Sequence, residues 1–197
     1  VIKPEILLLD EPLSNLDARL REEMRSEIRR IQRTVGITTI LVTHDIHEAF
    51  ALSDRIAVMR AGKVEQLGSP TELYDRPANR FIAGFLGQVN EWQGRVERRE
   101  GNEAEIRVDG LGGFRVACAE NCRPGQDAWI VLRPERLRIA AADGAGQGLQ
   151  GRVDQVAHLG NLVNYRVQVG DRALQVQGAP ERGRGFAVGQ DVRLTWD

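Results

Sequence analysis

The stretch EILLLDEPLSNLD, residues 5–17, decides how this chain is read. Within residues 5–10 the side chains of 6–9 run apolar without a break up to an acid, the pattern of a parallel strand covered on both faces. Pro12 helps to stop that strand. The run therefore delivers two adjacent carboxylates, Asp10 and Glu11, to the carboxyl edge of a sheet, where open α/β folds bind their ligands.

Working outward, a long helix follows. Leu20, Met24, Ile28, Ile31 and Val35 recur at helical steps and predict one apolar stripe. Asp17 suits the N-cap and Gly36 the C-terminal stop. The charged positions Arg21, Glu22, Arg25, Arg29, Arg30 and Arg33 read as its solvated face. A β-branched strand is expected at 38–43 (TTILVT), then a short helix near 46–53. Residues 55–59 and 63–67 flank Ala61-Gly62 and predict a hairpin. Two short helices are expected after it, one from Pro70 and one around 79–86. Strand–helix–strand–helix order argues for an α/β parallel sheet.

After Gly87 the pattern changes to strict alternation. Ala104, Ile106 and Val108 show it, as do Phe114, Val116 and Cys118, then Val163, Tyr165, Val167 and Val169, then Val192, Leu194 and Trp196. These are half-buried strands between Gly- and Pro-containing turns. QGRV occurs at 93–96 and again at 150–153, a hint of two related β units joined by a flexible Gly/Ala loop at 140–149. The expected division is an α/β part at 1–87 and a mostly β, OB-like domain at 88–197.

Composition excludes several classes. The formal net charge of −1 is spread evenly, and no basic stripe offers itself to nucleic acid. Two cysteines, Cys118 and Cys122, are too few for a secreted disulfide framework and read as reduced cytosolic thiols. No apolar run approaches the ~20 residues of a membrane helix. Trp92, Trp129 and Trp196 fit core or interface packing, and His47 and His158 read as structural or exposed.

The acidic strand end is not isolated. ILLLDEP at 6–12 is followed by SNLD at 14–17, then by VTHD at 42–45 at the end of the next strand. A strand-end carboxylate can hold Mg²⁺ near phosphates, and a second beside it can accept a proton from an attacking water. A histidine on the neighbouring strand end can donate to a phosphoryl oxygen. Together these motifs resemble the nucleotide-binding subunit of ABC transporters. The resemblance implies a partial P-loop NTPase sheet, with ILLLDEP as Walker B, SNLD as the D-loop and His44 as the switch histidine. It implies Glu11 as catalytic base, Asp10 on Mg²⁺, and Asp10, Ser14 and Asp17 around bound ATP. The stretch 48–87 is similar to bacterial importer subunits for small solutes. RPERL at 133–137, HLGNLVNYRV at 158–167 and the ending RLTWD look like their TOBE domain. The resemblance is to the spermidine/putrescine type above all, with a polyamine as solute, and ferric-iron, sulfate and sugar importers share much of the same pattern.

The implied partners are a second copy of the subunit, transmembrane permease subunits, and an extracytoplasmic solute-binding protein reached through the permease. The implied location is the cytoplasmic face of the inner membrane. No nucleic acid is expected. Three family motifs are missing from the 197 residues: the phosphate loop G-x-x-x-x-G-K-[ST], an LSGGQ-like signature and a glutamine loop. Val1 is not an initiator methionine, so the expectation is a cut chain, inactive by itself, whose missing motifs lie upstream. The competing reading is a stand-alone regulatory module that binds a small ligand on its β domain. A repair-type ABC ATPase is set aside because 17–36 carries one helix and no long heptads.

Overall fold

The carboxyl-edge motifs sit on a pair of parallel strands. β1 (Ile6–Asp10) and β2 (Thr38–Val42) lie side by side with Ile6 opposite Thr38 and Asp10 opposite Val42. Helix α1 (Ala18–Val35) makes the crossover between them. Asp17 caps it by accepting from the backbone N–H of Arg19 and Leu20, and Gly36 ends it in the left-handed conformation (φ 67°). The computed structural model describes residues 4–118, 121–142, 148–180 and 185–196. It divides into two compact units, Val1–Leu86 and Gly87–Asp197.

The first unit continues through α2 (Ile46–Leu52), the hairpin β3 (Ile56–Arg60) and β4 (Lys63–Gly68), α3 (Pro70–Asp75) and α4 (Arg80–Phe85). Ala61 and Gly62 both take positive φ, 47° and 78°, as a two-residue hairpin turn requires. A capping box between Ser69 and Glu72, with Pro70 in the first turn, starts α3. Val58, Leu73, Ile82 and Leu86 form a small core that Phe50, Tyr74 and Phe81 complete.

Two expectations fail in this unit. The first strand is not covered on both faces: only Leu9 is half-buried, and Leu8 is 70% exposed. Among the described residues its sheet has two strands, and nothing lies across the faces of Ile6, Leu8, Ile40 and Val42, all of them exposed. A two-stranded parallel pair does not by itself amount to the P-loop sheet that the motifs imply. The helix stripe fails likewise. Met24 and Ile28 are half-buried, but Leu20, Ile31 and Val35 are exposed. The reputed solvated face does part of the packing instead. The Arg29 guanidinium donates to the carbonyl of Leu52 at 2.9 Å and pairs with Asp54. Long cationic side chains bury their stems while their heads reach the carbonyls that end α2.

The second unit is built twice from one plan. β5 (Asn90–Glu100), β6 (Glu103–Val108), β7 (Gly112–Ala117) and β8 (Asp127–Leu132) form a sheet in the order β7-β6-β5-β8. A 3-10 turn at Pro134–Arg136 leads to β9 (Leu137–Ala141). Then β10 (Leu149–His158), β11 (Val163–Val169), β12 (Arg172–Gly178) and β13 (Asp191–Trp196) repeat the order, with β9 added outside β13. All neighbours in both sheets are antiparallel.

The QGRV repeat occupies the same place in each half. Register slips just after it, between Val96 and Arg98 in one sheet and between Val153 and Gln155 in the other. Val96 exchanges backbone bonds with Gly125 and Gln126, and Val153 does so with Gly189 and Gln190. GQD thus recurs at 125–127 and 189–191, a second repeat that lies opposite each QGRV strand. Arg95 pairs with Asp127 at 3.8 Å, and Arg152 with Asp191 at 2.8 Å. The glycine of each QGRV is obligatory. A Cβ on Gly94 would meet the Arg107 carbonyl at 2.6 Å, and one on Gly151 the Gln168 carbonyl at 2.7 Å.

One continuous core fills this unit, as the alternating strands predict. Phe114 stacks between Trp92 and Trp196, with ring centroids 5.6 and 4.7 Å away, so the aromatic column draws on both sheets. Trp92 and Trp196 pack in this core, whereas Trp129 is 45% exposed. Buried Asn90 bridges the sheets as a backbone mimic: its amide nitrogen donates to the Gln175 carbonyl at 2.8 Å, and its oxygen accepts from Gln175 N–H at 2.7 Å. Residues 143–147 of the expected 140–149 loop lie outside the described residues.

Candidate functional site

The parallel register places the ends of β1 and β2 together. Glu11 follows directly on Asp10, and its N–H donates to the Val42 carbonyl at 2.8 Å. That bond continues the ladder by one residue and aligns Glu11 with the Thr43-His44 turn. Glu11 has φ 44°, a left-handed conformation that only a few per cent of non-glycine residues adopt and that its position before Pro12 further disfavours. It is held there from both ends, because the Glu11 carbonyl also accepts from Ser14, at 3.3 Å from the backbone and 3.1 Å from the hydroxyl. Backbone strain fixed by its surroundings is a common mark of working sites.

The product of this geometry is a carboxylate–imidazole pair. Glu11 Oε1 lies 2.9 Å from His44 Nδ1. The hydrogen bond to Glu11 raises the His44 pKa above the ordinary imidazole value, and the negative charges of Glu11, Asp45 and Glu48 act in the same direction. Both side chains stay open to solvent, His44 at 75% and Glu11 at 47%. An accessible carboxylate coupled to an accessible imidazole can accept, hold or pass on a proton.

A second layer of polar residues anchors His44. The Thr43 hydroxyl donates to Glu48 at 2.9 Å and accepts from the N–H of Asp45 at 3.0 Å. Asp45 caps α2 through the N–H groups of His47 and Glu48. Glu48 is itself buried. Arg21 ties this segment to the SNLD turn: its guanidinium donates to the Leu16 carbonyl at 2.9 Å and lies 3.6 Å from the Asp45 carboxylate. Sequence reading missed Arg21, Thr43, Asp45 and Glu48 as a group. The available signal was an acid followed by a helix with a glutamate three residues on, which marks a capped start. Nothing in the helix periodicity singles out Arg21.

Of the sequence-derived site residues, Glu11 and His44 touch one another. Asp10 ends the neighbouring strand and is exposed. Ser14 and Asp17 are engaged locally, Ser14 in the turn after Glu11 and Asp17 in capping α1. The hollow between Glu11, Ser14, Arg21, Thr43, His44, Asp45 and Glu48 has a volume of about 50 Å³, room for ordered water but not for a nucleotide. His47 is exposed on α2, and His158 ends β10.

Comparison with known proteins gives a consistent picture. Residues 130–197 match the TOBE domain family. The chain is 42% identical over its whole length to the spermidine/putrescine import ATP-binding protein PotA of Chromobacterium violaceum, and covers 56% of that protein. It is 43% identical, again over its whole length and 56% of the relative, to PotA 2 of Pseudomonas aeruginosa. Over 85% of its length it is 49% identical to the Fe(3+) ions import ATP-binding protein FbpC of Rhizobium etli, 46% of which is covered. The chain thus spans about half the length of the curated relatives it matches. Among solved structures, the molybdate-binding protein ModG aligns with 54% of this chain and 89% of its own. Its TM-score of 0.47 and 13% identity carry no argument about fold or ligand.

Proposed function

We propose, from the premise that this chain belongs with the ATP-binding subunits of bacterial ABC importers, that its first unit supplies the hydrolytic edge of a nucleotide-binding domain. The observation that carries the reading is the Glu11–His44 pair, 2.9 Å apart at the matched ends of two parallel strands. In this reading Glu11 is the general base toward the attacking water. His44, held by Glu11 and by the Thr43–Asp45–Glu48 network, donates to the terminal phosphoryl group. Ser14 and Asp17 lie in the turn that borders the nucleotide.

Mg²⁺ fits the donor set. Such an ion usually takes one or two carboxylates together with substrate phosphates and water, and Asp10, exposed at the strand end, would supply one carboxylate. When bound, the ion neutralises charge on the phosphates. Binding ATP tightly requires further groups, because no phosphate loop occurs in the 197 residues. We therefore read the chain by itself as inactive. The exposed apolar faces of Ile6, Leu8, Ile40 and Val42 would be covered by further strands of a P-loop sheet.

The second unit is read as the OB-like TOBE part. The polyamine-importer relatives match over the whole chain and the iron-importer relative over 85% of it, so we favour a polyamine as the solute. In this reading two copies close on ATP and act on permease subunits that receive solute from an extracytoplasmic binding protein. The subunit sits peripherally on the cytoplasmic face of the inner membrane. No helix among the described residues is long and apolar enough to cross a membrane.

The test is His44→Ala in the gene's full-length product. Nucleotide binding should stay near the wild-type level while turnover falls at least tenfold, because the lost contact strengthens as charge moves onto the phosphoryl oxygens. An unchanged turnover number would return His44 to a structural role.

A further inference from the structure

The only two cysteines of the chain lie together in the second unit. Cys118 directly follows β7, and its N–H donates to the Asn102 carbonyl at 2.8 Å. Cys122 precedes β8, and its carbonyl accepts from the Arg99 guanidinium at 3.1 Å. β7 and β8 are the two edges of the four-stranded sheet. Both cysteines are half-buried, free thiols that pack against the core, and both line one cavity of about 310 Å³ beside Val96, Ile106 and Trp129. The backbone contacts fix each cysteine independently, and Cys118 lies within electrostatic reach of the Cys122 thiol.

We propose that Cys118 and Cys122 are a reversible dithiol that closes to an intramolecular disulfide by exchange with a low-molecular-weight disulfide such as glutathione disulfide. Burial, followed by the neighbouring Cys118, pushes the Cys122 thiol up. The Cys122 thiolate is harder to form than that of an ordinary cysteine, so the first attack is assigned to Cys118. In the first step the Cys118 thiolate attacks one sulfur of the small disulfide. A Cys118–glutathione bond forms, the glutathione S–S bond breaks, and one glutathione leaves as thiolate and takes up a proton. In the second step Cys122 loses its proton and attacks the Cys118 sulfur, releasing the second glutathione as thiol. The protein dithiol is oxidised by two electrons, the glutathione disulfide is reduced to two thiols, and the two protein protons end on them. The closed bridge ties the end of β7 to the segment that leads into β8, at two residues that line the same cavity. In a reducing compartment the dithiol is the resting form, and the bridge is transient.

The experiment incubates the 197-residue chain in glutathione buffers of graded reduced-to-oxidised ratio, quenches with acid, alkylates, and measures intact mass. Both thiols should disappear together in one transition, leaving a mass lower by two hydrogens and no retained glutathione. Cys118→Ser and Cys122→Ser should each abolish that product, and the remaining cysteine should keep a glutathione adduct. The wild-type readout needs no substitution, so a misfolded variant cannot decide the matter. Two thiols that stay free in fully oxidised buffer, two separate glutathione adducts, or a disulfide-linked dimer would each overturn the proposal.

Discussion

Replacing Asn90 by alanine should loosen the second unit far more than one surface amide would suggest. Asn90 is 5% exposed and satisfies both backbone groups of Gln175, at 2.7 and 2.8 Å, on the edge strand β12. Its side chain is a hydrogen-bonded link from the first sheet to that edge. The substitution deletes two bonds worth about 0.5–1.5 kcal/mol each and leaves an N–H and a C=O short of partners, each at about 1–3 kcal/mol if dry. Gln175 is only half-buried, so water recovers part of that loss, and the net should be roughly 3 kcal/mol. For a unit of this size that corresponds to a midpoint lower by about 10–15 °C. The assay is internal to the chain, because all three tryptophans, Trp92, Trp129 and Trp196, lie in the second unit and their fluorescence follows its melting alone. Gln93→Ala is the control. It removes one exposed 3.5 Å contact to Asp127 and should stay within about 0.5 kcal/mol of wild type. A fall of less than about 3 °C for Asn90→Ala would refute the reasoning, since the bridge would then carry no more than a surface bond.

The His44 imidazole should titrate above the ordinary value when followed by NMR, and Glu11→Gln should bring it back down, because the hydrogen bond to Glu11 is the main cause of the shift. The sign follows from the raised folded value. The pair's stabilisation is fully present below the ordinary pKa of about 6.5 and is lost as pH rises through the elevated one. A titration unaffected by Glu11→Gln would show that the contact does not persist in solution. Expressed separately, residues 88–197 should be soluble and melt cooperatively on their single large core, whereas 1–87 should aggregate through its open strand faces. A stable 1–87 beside an unfolded 88–197 would reverse that assignment.

How much of this was legible depended on what each signal measures. Alternation reports one buried face per strand, and in the second unit it found the strands and most of the core, because a sheet curled on its own core needs nothing else. The QGRV match was only four residues, yet it marked equivalent bulged strands. GQD went unnoticed because its role lies in pairing with the bulge, not in periodicity. In the first unit, apolar runs state what a residue would prefer to bury, not what is available to cover it. ILLL marks faces that a fuller sheet would cover and that stay open here, the α1 stripe is buried only at Met24 and Ile28, and Asp17, Gly36, Ala61 and Gly62 follow from local backbone demands. Glu11 and His44 came from motif spacing, and the register of two parallel strands brought them together. Arg21, Asp45 and Glu48 act through tertiary contacts between a helix face and a loop, for which the sequence carries no periodic mark.

Glu11 is proposed as the base at the strand end, and Glu11→Gln in the full-length subunit tests that role most directly. Steady-state phosphate release with Mg²⁺ and ATP should be measured beside nucleotide binding on the same preparation. The amide is nearly isosteric with the carboxylate but cannot accept the proton of the attacking water. Binding should therefore persist while turnover drops by about 10²–10⁴-fold. Hydrolysis near the wild-type rate would contradict the account and place the base elsewhere.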